Sequence, residues 1–512
     1  MPNDMQWDGE QHPSSIPEEQ GIHSRSFLDF FAGVQKEGIE LHSFHVIRHN
    51  HMIVDCVAKP FTETSPHRIY SSAKGIQCLA ALFLVQEGKL RLEDKVVGLF
   101  SEDRPEKMDP RMESMTVRDL LTMTNGHPRT SFYEMRKSDN WIRSFLGQPL
   151  LRQPGTKFEY NNAPPHLICC LPRLLAGQNM LEYLKPRFLD PLGIEDLCET
   201  CLDPAHPEDL EPTTQCLSPL DFAKFAQFFL QHGSWNGTQL LRADLCDLVG
   251  KRYFPSRHFY PEQPCNQYGF GLFCYGCSFG GYRFSGGYGQ QAIVIPELDM
   301  ACEYMANENQ DQVQKLMNLF EKFVVCGCHE FPVEPVVSDV RELRELTSHY
   351  SLAPLGSTTS PRQAEWEGKT LILDENPQGI DKIHFSLKDR IAIEVTRNGK
   401  KVRGICGLEG EWIENPDYPL MDAASSLSPV IKGYEPAKIL GYESRQPWLL
   451  SAAWTDENVL QINARRMDLM CTVTQTFTLA EKSAAVRIHH HFLPGNQEKN
   501  PDIILTGSFA TL

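Results

Sequence analysis

No stretch of this 512-residue chain concentrates lysine or arginine, and no apolar run approaches the ~20 residues that a membrane-crossing helix needs. The strongest apolar run, Cys78 to Val85, is far too short. The 49 Lys and Arg are outnumbered by 66 Asp and Glu, a formal charge of −17, so the overall field repels polyphosphates and anionic lipid. Nucleic acid and membrane are therefore not expected as partners. The opening residues Met1 to Gln6 hold neither a basic nor an apolar segment of the kind that directs export, and a cytoplasmic protein is expected. Cysteine is sparse for a disulfide scaffold, 16 in 512, and reduced thiols fit that compartment. Low hydrophobicity is also missing: 41% hydrophobic and 22% charged residues mark an ordinary folded chain. Its length exceeds the ~300 residues at which one core stops growing, so at least two packing units are expected.

Two Cys-x-x-Cys pairs, Cys198 with Cys201 and Cys274 with Cys277, have zinc-ligand spacing but read more simply as buried thiols. His489-His490-His491 lies in an alternating pattern with Val486, Ile488 and Phe492. Adjacent strand residues point to opposite faces, so the three cannot share one ion. No metal or organic cofactor is expected.

Alternation from Phe44 to Val57 around His49-Asn50 predicts a hairpin. Helical spacing predicts helices over Ser24 to Val34, Lys74 to Glu87, Val117 to Met123, Pro165 to Leu175, Asp221 to Leu230 and Gln310 to Val325. Beyond residue 360 the chain turns to short alternating runs: Ile383 to Leu387, Ile391 to Thr396, Val402 to Cys406, Val459 to Asn463, Thr472 to Thr478 and Ala484 to Phe492. Asn398-Gly399 supplies a tight hairpin signal among them. The expected organisation is a first domain over 1–335, a linker over 336–360 and a small all-β barrel or sandwich over 361–512.

Three segments carry chemistry. In Tyr70-Ser71-Ser72-Ala73-Lys74, Ser71 and Lys74 are one helical turn apart, so the amine can reach the hydroxyl. Acting as a base near neutrality asks a lysine to fall ~3 pKa units below its usual ~10.4, which burial can supply. At a helix start, Ser71 also brings its own N–H among donors that lack helical partners. In Phe158-Glu159-Tyr160-Asn161-Asn162, the i, i+2 pair Tyr160 and Asn162 share a face if the segment is extended. In Phe284-Ser285-Gly286-Gly287-Tyr288-Gly289-Gln290-Gln291, a strand edge bare of side chains at Gly286 and Gly287 lets a substrate lie along the backbone, with the Tyr288 N–H as a second oxyanion donor. Each also has a plain reading: a serine N-cap, an asparagine cap after a packed tyrosine, and a glycine turn.

Together, Ser71-x-x-Lys74, Tyr160-x-Asn162 and the glycine-containing strand, in that order and spacing, resemble the serine β-lactamase, penicillin-binding protein and class C esterase superfamily. Leu120 to His127, the Pro154-Gly155-Thr156 loop, Tyr268 to Gly271 and Gly287 to Gln291 extend the resemblance over about 300 residues. It implies an α+β fold: a mixed, mainly antiparallel sheet flanked by helices, beside an all-helical region, with the nucleophile at the start of the central helix. It further implies that Ser71 forms an acyl-enzyme and that Lys74 and Tyr160 move its proton, the principal base being left open. Asn162 would hold Lys74 and the substrate carbonyl, and the N–H groups of Ser71 and Tyr288 would bind the oxyanion.

One position departs from the pattern. The third motif of the superfamily commonly opens with Lys or His, where this chain has Ser285. A neutral hydroxyl brings no charge to a substrate carboxylate, so lactam hydrolysis is disfavoured unless Arg283, on the same face two residues upstream, restores it. The expected activity is hydrolysis of a small ester or amide. The alternatives are a D-amino-acid peptidase or β-lactamase, and a non-catalytic binding or sensor protein retaining the fold. The C-terminal region loosely resembles the β-barrel domains appended to some D-aminopeptidases and esterases; covering the cleft, forming a homo-oligomer and stabilising the first domain are all compatible with it.

Overall fold

The computed structural model describes residues 7, 12–194, 205–206, 215–308, 310–376, 378–388, 390–418, 447–465, 472–490 and 502–510. The N-terminal part is built on a six-stranded sheet in the order His51–Val57, Glu40–Arg48, Met300–Asn307, Gln290–Ile295, Tyr282–Gly286, Tyr275–Gly276. Its ladders are antiparallel, with a parallel bridge from Ser14 to Met52 at the edge. His49 and Asn50, at φ 49° and 62°, turn the expected hairpin.

Strand alternation divides this sheet between two apolar cores. Phe44 and Val46 face the helices Ser24–Lys36 and Gln310–Leu319, with the Phe44 ring stacked 4.5 Å from that of Phe30. On the other face lie the helices Lys74–Gln86, Ala163–Ala176 and Pro219–Leu230. The first of these is buried from Lys74 to Leu84, which makes it the central helix. The third begins two residues before the expected Asp221, because Ser218 caps the Asp221 N–H at 3.1 Å and Pro219 is preset for a first turn. The Gln310 to Val325 pattern is helical to Leu319 and finishes in a wider π-type turn, Phe320–Val325.

Within 336–360, a helix Val337–Ser348 buries Leu343, and the Tyr350 ring packs 5.4 Å from that of Phe31. The chain then bonds back to Lys59 on both sides, through Tyr350 O at 2.9 Å and the Leu352 N–H at 2.8 Å. This stretch is therefore a docked strap rather than a bare tether.

The C-terminal part is a ten-stranded antiparallel sheet curled into a nearly closed barrel. Its order is Lys400–Ile405, Ala392–Arg397, Ile380–Ser386, Thr370–Leu373, Ile503–Phe509, Ser483–His490, Thr472–Leu479, Val459–Arg465, Trp448–Asp456, Ile413–Asn415. At the seam between the end strands the Asn415 side chain stands in for a ladder partner, accepting from the Ile405 N–H at 2.8 Å and donating to the Ile405 carbonyl at 2.9 Å. The filling is mainly apolar, with Trp366 stacked on Trp454 and Phe385 edge-on to Phe477, and it also holds the buried amide of Gln475, which accepts from the Tyr418 hydroxyl. The two parts meet at Glu40, whose carboxylate accepts from Arg465 at 3.2 Å, Thr472 at 2.8 Å and His42 at 2.9 Å.

Candidate active site

The nucleophile candidate stands in a 3-10 turn, Tyr70–Ala73, that runs into the central helix. Tyr70 enters it with φ 48°, a left-handed backbone unfavourable for a bulky residue and held by the surroundings. Its ring packs edge-on to Tyr288 at 5.0 Å. Ser72, buried, anchors the turn by donating to the carbonyls of Phe284 and Gln290 at 3.2 and 3.0 Å. The strand pressed against the turn is open in side-chain space for that reason: a Cβ on Gly286 would lie 2.1 Å from the Ile69 carbonyl oxygen. The bareness expected to admit substrate at Gly286 thus first admits the nucleophile turn itself, while a Cβ on Gly287 would meet the Tyr70 ring only at an ordinary contact distance, 3.8 Å.

Lys74 is 1% exposed and its Nζ lies 2.9 Å from Ser71 Oγ, the contact that helical spacing predicts. The same Nζ sits 5.2 Å from the centre of the Tyr160 ring. Tyr160 in turn stacks on Tyr275 at 6.3 Å, and Tyr275 shares a 2.7 Å hydroxyl contact with Tyr260. Burial holds the phenols of Tyr260 and Tyr275 well above their usual range, so this wall of the site is uncharged.

Asn161, a residue the motif reading passed over, fixes the Tyr160 loop. Its amide accepts from the Ala163 N–H at 2.9 Å and donates to Pro128 O at 3.0 Å and Ser131 Oγ at 2.6 Å. Anchored there, it performs the capping expected of Asn162. Asn162 Oδ1 is buried without a hydrogen-bond partner. The bond from Asn162 Oδ1 to Lys74 implied by the resemblance is not made, the hydrogen bond of Nζ running to Ser71 one turn away.

Arg283 requires a correction. It shares a strand face with Ser285, as alternation predicts, and Gln291 links the two, accepting from Arg283 at 3.1 Å and donating to Ser285 Oγ at 2.9 Å. However, Arg283 is 0% exposed, bonded to Cys265 O at 2.9 Å and Asn266 Oδ1 at 2.7 Å, with its guanidinium over the Tyr275 ring. It braces the sheet and presents no charge to a ligand at Ser285. Tyr288 sits in a left-handed turn at φ 63°, its carbonyl held by the Glu308 N–H at 3.1 Å and by Gln290 Nε2 at 3.0 Å. Ser72, Asn161 and Gln290 stand inside the three motifs without having been assigned a role there, and Glu308 carried no sequence signal.

Away from this site, Cys274 and Cys277 are buried thiols, that of Cys277 pushed up to about 12 by burial. Cys198 and Cys201 lie outside the described residues. Among the described residues no group of His, Cys, Asp and Glu could hold a metal ion, and no helix is long and apolar enough to cross a membrane. His489 is bonded to Asp502 at 2.7 Å, and His491 is outside the described residues.

A hydroxyl touched by a buried amine at a helix start, against an antiparallel sheet, is an arrangement suited to acyl transfer. The Beta-lactamase family model matches residues 30–324, more than half of the 512, and the chain belongs to that family. It is 32% identical over 141 residues to Protein flp of Staphylococcus aureus (strain MW2), an overlap of 26% of this chain and 28% of that protein. Among solved structures, the octameric penicillin-binding protein homologue from Pyrococcus abyssi is similar over 94% of this chain and 99% of that one, at 15% identity and a TM-score of 0.47. A putative 6-aminohexanoate-dimer hydrolase from Bacillus anthracis is similar over 63% of this chain and 89% of that one, at 17% identity and a TM-score of 0.48.

Proposed function

We propose that the protein is a serine hydrolase that cleaves a small ester or amide through an acyl-enzyme on Ser71. The observation that carries this reading is the 2.9 Å contact between Ser71 Oγ and the Nζ of Lys74, which is 1% exposed. In the first half-reaction Oγ bonds to the substrate carbonyl carbon and its proton passes along that contact to the Lys74 amine, acting as the base. The carbonyl oxygen takes the negative charge, facing the N–H groups of Ser71 and Tyr288. When the C–O or C–N bond breaks, the leaving group takes a proton through Lys74 and Tyr160. A water then attacks the acyl carbon with the same pair removing its proton, releasing the acid and restoring Ser71. Asn162, with an unsatisfied buried Oδ1, is placed to orient a donor on the substrate or on Lys74 as the site fills.

The charge pattern favours neutral substrates over those with a carboxylate beside the scissile bond. Ser285 is uncharged and Arg283 is engaged in the sheet, which sets the D-amino-acid peptidase and β-lactamase readings below the esterase or amidase. Intact-mass measurement after exposure to a fluorophosphonate, and separately to a penicillin, tests both points. A single adduct with the fluorophosphonate that is lost in Ser71→Ala is expected, together with little or none from the penicillin. An undiminished adduct in Ser71→Ala removes Ser71 from the mechanism.

A further inference from the structure

The Met300–Asn307 strand ends beside the turn that carries the proposed oxyanion donor, and the next residue is Glu308. Its side chain is turned inward: the residue is 3% exposed, and neither carboxyl oxygen has a hydrogen-bond partner. The carboxyl lies against the backbone of Gly289. A Cβ built there would fall 2.3 Å from Glu308 Oε2, and Gly289 itself has φ 92°, so two constraints reserve this position for glycine. On the main chain, the Glu308 N–H holds the Tyr288 carbonyl at 3.1 Å. Gln290 ties the same turn down by donating from Nε2 to Gly287 O at 3.1 Å, Tyr288 O at 3.0 Å and Ala306 O at 2.7 Å, while its Oε1 is buried without a partner.

We propose that Glu308 is a positioning residue for the oxyanion turn, one that supports catalysis as the carboxylic acid and opposes it as the carboxylate. This rests on the proposed role of the Tyr288 N–H. Neither carboxyl oxygen receives a hydrogen bond, and the nearby Gln290 amide spends its donors on the carbonyls of Gly287, Tyr288 and Ala306, so nothing in this arrangement stabilises a carboxylate. The titratable neighbours are Tyr304 on its own strand, whose hydroxyl bonds to Met317 Sδ at 3.0 Å, Tyr288 on the turn, and Asp311, exposed on the first turn of the following helix. No lysine, arginine or histidine among the described residues acts on the carboxyl, and burial pushes it well above the usual carboxylate range. Loss of its proton to solvent leaves a fixed negative charge one residue from the donor that must stabilise a second negative charge in the transition state. At that separation the repulsion is worth about 10- to 100-fold in rate.

The test is the second-order rate constant for fluorophosphonate labelling of the full chain as a function of pH, in wild type and Glu308→Gln, with circular dichroism recorded over the same range to separate inactivation from unfolding. The ratio of the Gln variant to wild type is expected to climb about 10- to 100-fold toward the alkaline end, where only the wild type gains a charge. A ratio that stays flat or falls with pH overturns the proposal. Every group other than Glu308 is common to the two proteins and cancels from the ratio. Should Glu308→Gln not fold, Glu308→Ala gives the same comparison. The Ser71→Ala control keeps two failures apart: an adduct that survives there speaks against Ser71, whereas a flat ratio with Ser71-dependent labelling speaks against Glu308 alone.

Discussion

The interiors of the two parts of this molecule are built on opposite terms. Beneath the N-terminal sheet and its helices lie Lys74, Glu303, Glu308, Arg283, His42, His45 and His67, all buried, whereas the barrel is packed around Trp366, Phe385, Leu460 and Phe477. The barrel's fully buried guanidinium, Arg465, reaches out to Glu40 of the first part. Keeping charge-bearing groups dry costs stability, and a fold retains such groups where they do chemistry or are closely paired. The lesson is a division of labour: one part keeps ionisable groups dry, the other supplies shape from a mainly apolar filling with a few neutral amides such as Gln475 and Asn415.

Removing the amine should show the widest gap between the two parts. Lys74→Ala is expected to slow fluorophosphonate labelling of Ser71 by about 10³-fold or more, since the serine then loses the amine that contacts its hydroxyl. The stopped labelling time course reads this directly, and a loss under tenfold would move the base role to Tyr160. In the barrel, Phe477→Ala removes a fully buried ring and should cost ~3–5 kcal/mol in denaturant unfolding. Labelling by the protein that remains folded should be unchanged; a parallel fall in labelling would show that the barrel shapes the cleft and break the comparison.

A further expected effect, confined to alkaline pH, lies in the pH dependence of stability. His45 is fully buried between Glu303 at 2.6 Å and Asp55 at 3.2 Å. Burial pulls the imidazole down, but the two carboxylates outweigh it and hold it up at about 10. A group raised in the folded state stabilises fully below its unfolded pKa of ~6.5, and that contribution is lost as pH rises through about 10. The thermal midpoint should therefore fall between neutral pH and pH ~10, and His45→Gln should flatten that slope. An unchanged slope in the variant would assign the alkaline loss to other groups.

The central helix was legible because its neighbours along the chain are its neighbours on one face: the spacing of Ser71 and Lys74 fixes their contact before any tertiary packing. The His49-Asn50 hairpin was legible for a similar reason, since its turn chemistry is local. Alternation correctly placed Arg283 and Ser285 on one face, yet it could not tell that Cys265, Asn266 and Tyr275 would close over the guanidinium. Nor could it tell which of Asn161 and Asn162 would anchor the loop, because that depends on Ser131 and Pro128, some 30 residues earlier. Glu308 looked like any acid after a strand; only the return of the Gly287–Gly289 turn against it makes it buried.

Sequence by itself determined the hairpin, the main helices and the one-turn pairing of hydroxyl and amine, because each follows from local geometry, and its three motifs carried the family resemblance; it did not show the helix Val337–Ser348. Tertiary structure alone decided which polar groups are dry, which are engaged, and how the end strands of the barrel meet at Asn415. Burial and long-range partnership are properties of the packed chain, and no local pattern of residues encodes them.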